Sequence, residues 1–153
     1  MGFSIVELII VLVVTSLVLG IAGLTFTDYF DRSSARRAAQ VFARDLSYAR
    51  SSALRAQEPV VIRFDETERW YEVAMQDSGT ELVRRRYGSN ADVALRAIDL
   101  RMDGDTMVVD SRGVVDLSGI VGTGSLGEAR FASGSKEYSV LFNSMGASKV
   151  EER

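Results

Sequence analysis

The chain has 153 residues, a formal charge of −3, a single proline, and neither histidine nor cysteine. Such a length fits one small domain with an appendage, and the charge is too near neutral to draw nucleic acid or anionic lipid by bulk attraction. Without histidine, a zinc enzyme or a serine hydrolase with a histidine base is excluded, and without cysteine there is no disulfide framework.

The first element is the run Phe3–Phe26, uncharged except for Glu7. As a helix it measures about 36 Å, enough to cross a bilayer. No helix of so small a domain is apolar on every face, so a transmembrane segment over residues 3–27 is the reading. Ser16, Gly20 and Gly23 are small residues at a spacing that lets another helix approach closely. A carboxylate in such a segment costs about 2 to 3 kcal/mol unless it is paired. Glu7 either snorkels to the headgroups, sits protonated, or meets a cation inside the membrane or an assembly. The first basic residue after it is Arg32, too far along a helix to serve.

The second element, residues 28–58, reads as an amphipathic helix. Ala35, Ala39, Phe42, Leu46, Ala49, Ala53 and Ala56 step by threes and fours into one apolar stripe. Arg36, Arg37, Arg44, Asp45, Arg50 and Arg55 fall between them, on the wetter faces. Ser33 or Ser34 is the expected N-cap, and Pro59 the expected stop.

From residue 59 to 153 the period shortens. PVVIRFD, RWYEVAM, ELVRRRY, VALRAIDLRM, TMVVD, VVDL, EARFA and EYSVLFN are short runs broken by turn-like segments. A helix followed by strands predicts an α+β domain in which the long helix packs on an antiparallel β-sheet.

Three local patterns invite chemistry. Gly122, Gly124 and Gly127 match the spacing of a dinucleotide-binding loop, but a strand-like EARFA follows where a helix is required, so a flexible loop is predicted. Arg84, Arg85 and Arg86 form the densest basic run; on a strand their side chains alternate between faces and make no single patch. Asp103, Asp105 and Asp110 fall short of a calcium site, and Asp65, Glu66 and Glu68 read as a solvated hairpin turn. Of Trp70 and Tyr71, one is expected in the core and the other at the surface. No catalytic constellation, metal site or cofactor is predicted, and the chain is not expected to be an enzyme.

The string Gly2-Phe3-Ser4-Ile5-Val6-Glu7-Leu8-Ile9-Ile10-Val11 closely resembles the processing site of type IV pilins and type II secretion pseudopilins. The resemblance implies that residues 1–2 are the remainder of a leader peptide. A prepilin peptidase would cut between Gly2 and Phe3 and methylate Phe3, making it the partner in trans for Glu7. Each Glu7 would then pair with the amino terminus of a neighbouring subunit in a helical filament.

Further along, DLSYARSSALRAQEPVVIRF is similar to the H-type minor pseudopilins and the FimT-like minor pilins (the GspH/FimT family), as is the closing LFNSMGASKV around Gly146. Without the disulfide of major pilins or the calcium loop of the major pseudopilin, the chain fits a minor subunit. The partners implied are other pseudopilins or minor pilins and an inner-membrane assembly platform. Some FimT-like pilins act in DNA uptake, but nucleic acid is not an expected partner here. Arg32, Arg36 and Arg37, read alone, would place the domain in the cytoplasm. The family implies a single-pass inner-membrane protein with its C-terminal domain in the periplasm.

Overall fold

The computed structural model describes residues 4–88, 91, 97–100, 106–118 and 126–153; side chains of 21–27 and 97–100 fall outside that description. Among the described residues no helix is long and apolar enough to cross a membrane, the described side chains of the apolar run ending at Gly20.

One continuous helix, α1 (Ile5–Ala56), forms the spine. No proline interrupts it, and its second half is rich in alanine, the strongest helix former. Ser33 and Ser34 therefore lie inside the helix, and the N-cap expected there does not exist. The helix ends where Gln57 turns into the left-handed region (φ 55°), just before Pro59. Glu58 then accepts the backbone N–H groups of Asp77 and Ser78, tying the helix exit to a turn of the sheet.

Among the described residues eight strands follow: β1 (Val60–Asp65), β2 (Trp70–Met75), β3 (Glu81–Arg86), β4 (Ala97–Leu100), β5 (Thr106–Val109), β6 (Leu126–Ser133), β7 (Lys136–Asn143) and β8 (Ser148–Glu152). They pair antiparallel as predicted, but in two four-stranded sheets, β3-β2-β1-β5 and β4-β6-β7-β8, rather than one. Twist accumulates from strand to strand, and splitting lets both sheets wrap a single helix. The run VVDL is no strand. Asp110 accepts the N–H groups of Arg112 and Val114, turning the chain back on β5, and only the bridge between Val109 and Val115 remains.

The core is a sandwich of the helix face against both sheets, with β6 and β7 closest to the helix. The stripe predicted from Ala35 to Ala53 is buried; Ala56, the last residue of the helix, is exposed, and Ala38 joins the buried set. Phe42 sits at the junction. Its ring meets Phe64 and Tyr71 of the first sheet and Phe131 and Phe142 of the second, at centroid distances of 5.5–6.3 Å.

Candidate assembly surface

Nothing in the head covers the described part of the apolar run. Ile5, Val6, Leu8 and each described Ile, Leu or Val as far as Leu19 are more than half exposed. An isolated helix that buries none of this area forgoes about 25 cal/mol for each square ångström of apolar surface. Such a surface demands a lipid or a partner.

Glu7 stands on this helix, within its first turn. Arg32, the first basic residue after it, lies about 37 Å away along the axis. Ser16 and Thr15 turn their hydroxyls back onto the carbonyls of Val13 and Val11 (2.8 and 2.7 Å), so they present little polarity. At Gly20 an added Cβ would meet nothing within 4 Å, so a neighbouring backbone has room to approach there. Gly23 is in the helix, its contacts outside the description, and Gly2 and Phe3 lie outside the described residues.

The angle at which this half leaves the head is set by contacts at the middle of α1. Asp31 accepts the Ser133 hydroxyl (2.9 Å) and crowds Gly134 at the β6–β7 turn. Gly134 has φ 57°, and a Cβ there would fall 1.9 Å from an Asp31 oxygen. One residue on, Arg32 donates to the Tyr138 hydroxyl (3.2 Å) and pairs with Glu152 at the end of β8. Tyr138 donates to the same carboxylate (3.1 Å). The Tyr138 and Glu152 bonds hold the Arg32 proton more firmly, and Arg32 in turn holds Glu152 below the usual carboxylate range.

Glu58, Asp110, Asp116 and Glu128 are also held low, the first three chiefly by backbone N–H groups and Glu128 by Arg130. A carboxyl depressed in the folded state contributes stability above its unfolded pKa, and that contribution disappears as pH falls through the folded value. With no histidine to titrate, denaturation midpoints should be level between about pH 6 and 8 and fall only below the ordinary carboxylate range, near 4. Urea midpoints taken across pH check this; a step near pH 6.5 would contradict it.

A second polar assembly lies inside the head, and the sequence pattern misplaces it. Asp45, expected on a wet face, is 4% exposed. Its carboxylate accepts the Tyr71 hydroxyl at 2.7 Å and a forked pair from the Arg85 guanidinium at 2.9 and 3.2 Å. Asp45 raises the Arg85 pKa, while burial first and then Tyr87 and Asp45 raise that of Tyr71. Burial pushes Tyr87 up to about 12. Arg50, also expected on a wet face, is half-buried, with its stem under the turn glycine Gly146.

The remaining candidates divide simply. Arg84 and Arg85 do point to opposite faces: Arg84 lies 4.6 Å over the Trp70 ring and near Glu72, while Arg85 reaches Asp45. Tyr71 is the core member of its pair and Trp70 the half-exposed one. Gly127 is buried within β6, which leaves no helix to hold a pyrophosphate; Gly122 and Gly124 lie outside the described residues. Asp110 is spent on its turn, and Asp103 and Asp105 also lie outside. Asp65 accepts the Glu68 N–H within the hairpin turn that also holds Glu66, and no group of three or more potential metal ligands occurs among the described residues.

A family model described as type II transport protein GspH matches residues 38–146. The fold is similar to the crystal structure of the type IV minor pilin FimU of Pseudomonas aeruginosa (TM-score 0.59, 14% identity, 80% of this chain and 92% of that one). It is also similar to the minor pseudopilin EpsH from the type 2 secretion system of Vibrio cholerae (TM-score 0.54, 12% identity, 78% and 97%). No curated protein matches in sequence.

Proposed function

The chain belongs to the GspH family of type II transport proteins, and from that premise we propose that it is a minor pseudopilin, a structural subunit of a type II secretion filament. The observation that carries this reading is the apolar half of α1, standing clear of the head with Glu7 on its surface. In the membrane, residues 3–27 anchor the subunit, and the head lies in the periplasm. Once a prepilin peptidase has cut between Gly2 and Phe3, the helix is drawn into a filament among others of its kind. There each Glu7 pairs with the methylated amino terminus of a neighbouring subunit's Phe3, and Ser16, Gly20 and Gly23 admit close helix packing. Other pseudopilins and an inner-membrane platform are the partners, and the role is structural rather than enzymatic.

The fold likeness to a type IV minor pilin supports a second reading, in which the same subunit serves a pilus. Both readings share one test. Glu7→Ala should leave membrane insertion intact while reducing cross-linking to other filament subunits about 30- to 150-fold, the effect of losing a pair worth about 2 to 3 kcal/mol. Undiminished cross-linking would show that assembly does not depend on Glu7, and no cross-linking in the wild type would identify a membrane-anchored domain that does not polymerise.

A further inference from the structure

Of the fourteen arginines whose side chains are described, seven (Arg32, Arg63, Arg84, Arg85, Arg112, Arg130 and Arg153) lie within 4.0 Å of one of the head's carboxylates. Arg36 and Arg37 differ. Both are exposed, and neither has an ion-pair partner among the described residues. They border a groove of about 450 Å³ along α1, together with Tyr29, Arg32, Ser33 and Gln40. The carboxylates around it are mostly engaged, Asp31 by Ser133 and Glu152 by Arg32, which leaves Asp28 one turn back toward the apolar run. The chain as a whole is acidic, so this positive charge is local.

Its height on the helix identifies what it meets. From Ile5 to Phe30 the helix measures about 38 Å, close to a whole bilayer with both headgroup layers, about 40–45 Å. Tyr29 and Phe30, 67% and 64% exposed, then fall at the headgroup level, where aromatic rings settle. Arg36 follows about 9 Å beyond Phe30, and helical side chains slant back toward the N-terminus, so its guanidinium returns toward the phosphates.

We propose that Arg36 and Arg37, with Tyr29 at the foot of the same groove, form a collar that binds the phosphate of anionic phospholipids while the subunit waits in the membrane. The proposal rests on the reading of residues 3–27 as a membrane span. A lipid is favoured over an acidic protein because the groove begins at the headgroup-level tyrosine. The collar would hold the head at a fixed height and release it when the helix is extracted.

The test uses the full chain in bilayer discs of phosphatidylcholine with one part in four phosphatidylglycerol, and counts the lipids retained on the protein by native mass spectrometry. The wild type should retain phosphatidylglycerol and phosphatidylcholine in a ratio about five times that of the disc, or more, since each cation near an anionic surface is worth about that factor. R36Q/R37Q, changed only at exposed positions, should fold identically by circular dichroism and lose the excess. An equal ratio for the wild type, or an excess that survives in R36Q/R37Q, overturns the collar. So does a variant with no change in lipid but reduced cross-linking to other subunits, which would assign the face to a protein. Flotation with vesicles of phosphatidylcholine alone separates the two readings. A chain that does not float refutes the span, whereas one that floats without lipid preference refutes only the collar.

Discussion

Phe42→Ala is expected to lower the stability of the head by about 3 to 5 kcal/mol. Its ring is fully buried and touches aromatic rings from both sheets. Truncation opens a cavity that neither sheet can close, because each is fixed by its own ladder of hydrogen bonds. The edge-on contact with Tyr71 and the tilted one with Phe131 each add about 0.5–1.5 kcal/mol beyond burial. Domains of this size have only about 5–15 kcal/mol in total, so the variant should be largely unfolded near 37 °C. Urea unfolding of the chain in detergent, followed by Trp70 fluorescence, measures it. Phe42→Leu should recover more than half the loss, since most of the volume returns. A cost below about 1 kcal/mol for the alanine variant would mean that the two sheets do not share this core.

Asp45→Ala should cost about 2 to 4 kcal/mol by the same measurement. The change strands the Tyr71 hydroxyl, wholly buried, without its acceptor. Arg85 suffers less, because its side chain is 45% exposed and recovers water when the carboxylate goes. The stranded hydroxyl therefore dominates, and removing it should relieve part of the damage. Asp45→Ala combined with Tyr71→Phe is expected to be about 1 kcal/mol more stable than Asp45→Ala alone. Simple additivity of the two changes would assign the cost to packing instead.

These two residues also show how far the sequence could be read. Phe42 declared itself by period: it falls in a stripe of alanines and leucine that only an amphipathic helix explains, and the structure buries it there. Asp45 sits beside that stripe, and its charge argued for solvent. What reverses the argument is Arg85, forty residues away on a strand whose place beside the helix no local pattern shows. One signal was present. Ala38, Asp45 and Ser52 recur every seventh residue, and all three are buried, a line along the helix edge that marks a wider contact than the stripe alone.

The strands were legible because alternation and turn residues are local. Their division into two sheets was not, because it depends on which edges meet around the helix. Ser33 and Ser34 misled for a related reason. Serine favours helix starts, but here the chain arrives already helical, and propagation through two serines costs far less than breaking and renucleating. Glu7 stood out without any structure, since a lone carboxylate in an apolar run is rare enough to require an account. The Asp31 and Arg32 contacts that aim the apolar helix had no such mark, each depending on a strand more than a hundred residues away.

Assembly as proposed turns on whether Glu7 has a cation to meet, and in that proposal the amino group of Phe3 becomes the cation only after processing. Intact mass of the protein extracted from membranes, with and without the prepilin peptidase, tests this most directly. The predicted result is a peptidase-dependent loss of the residues through Gly2 and the gain of one methyl group on Phe3. An amino terminus unchanged by the peptidase, or a cut beyond Gly20, would leave Glu7 without that partner and contradict the filament reading.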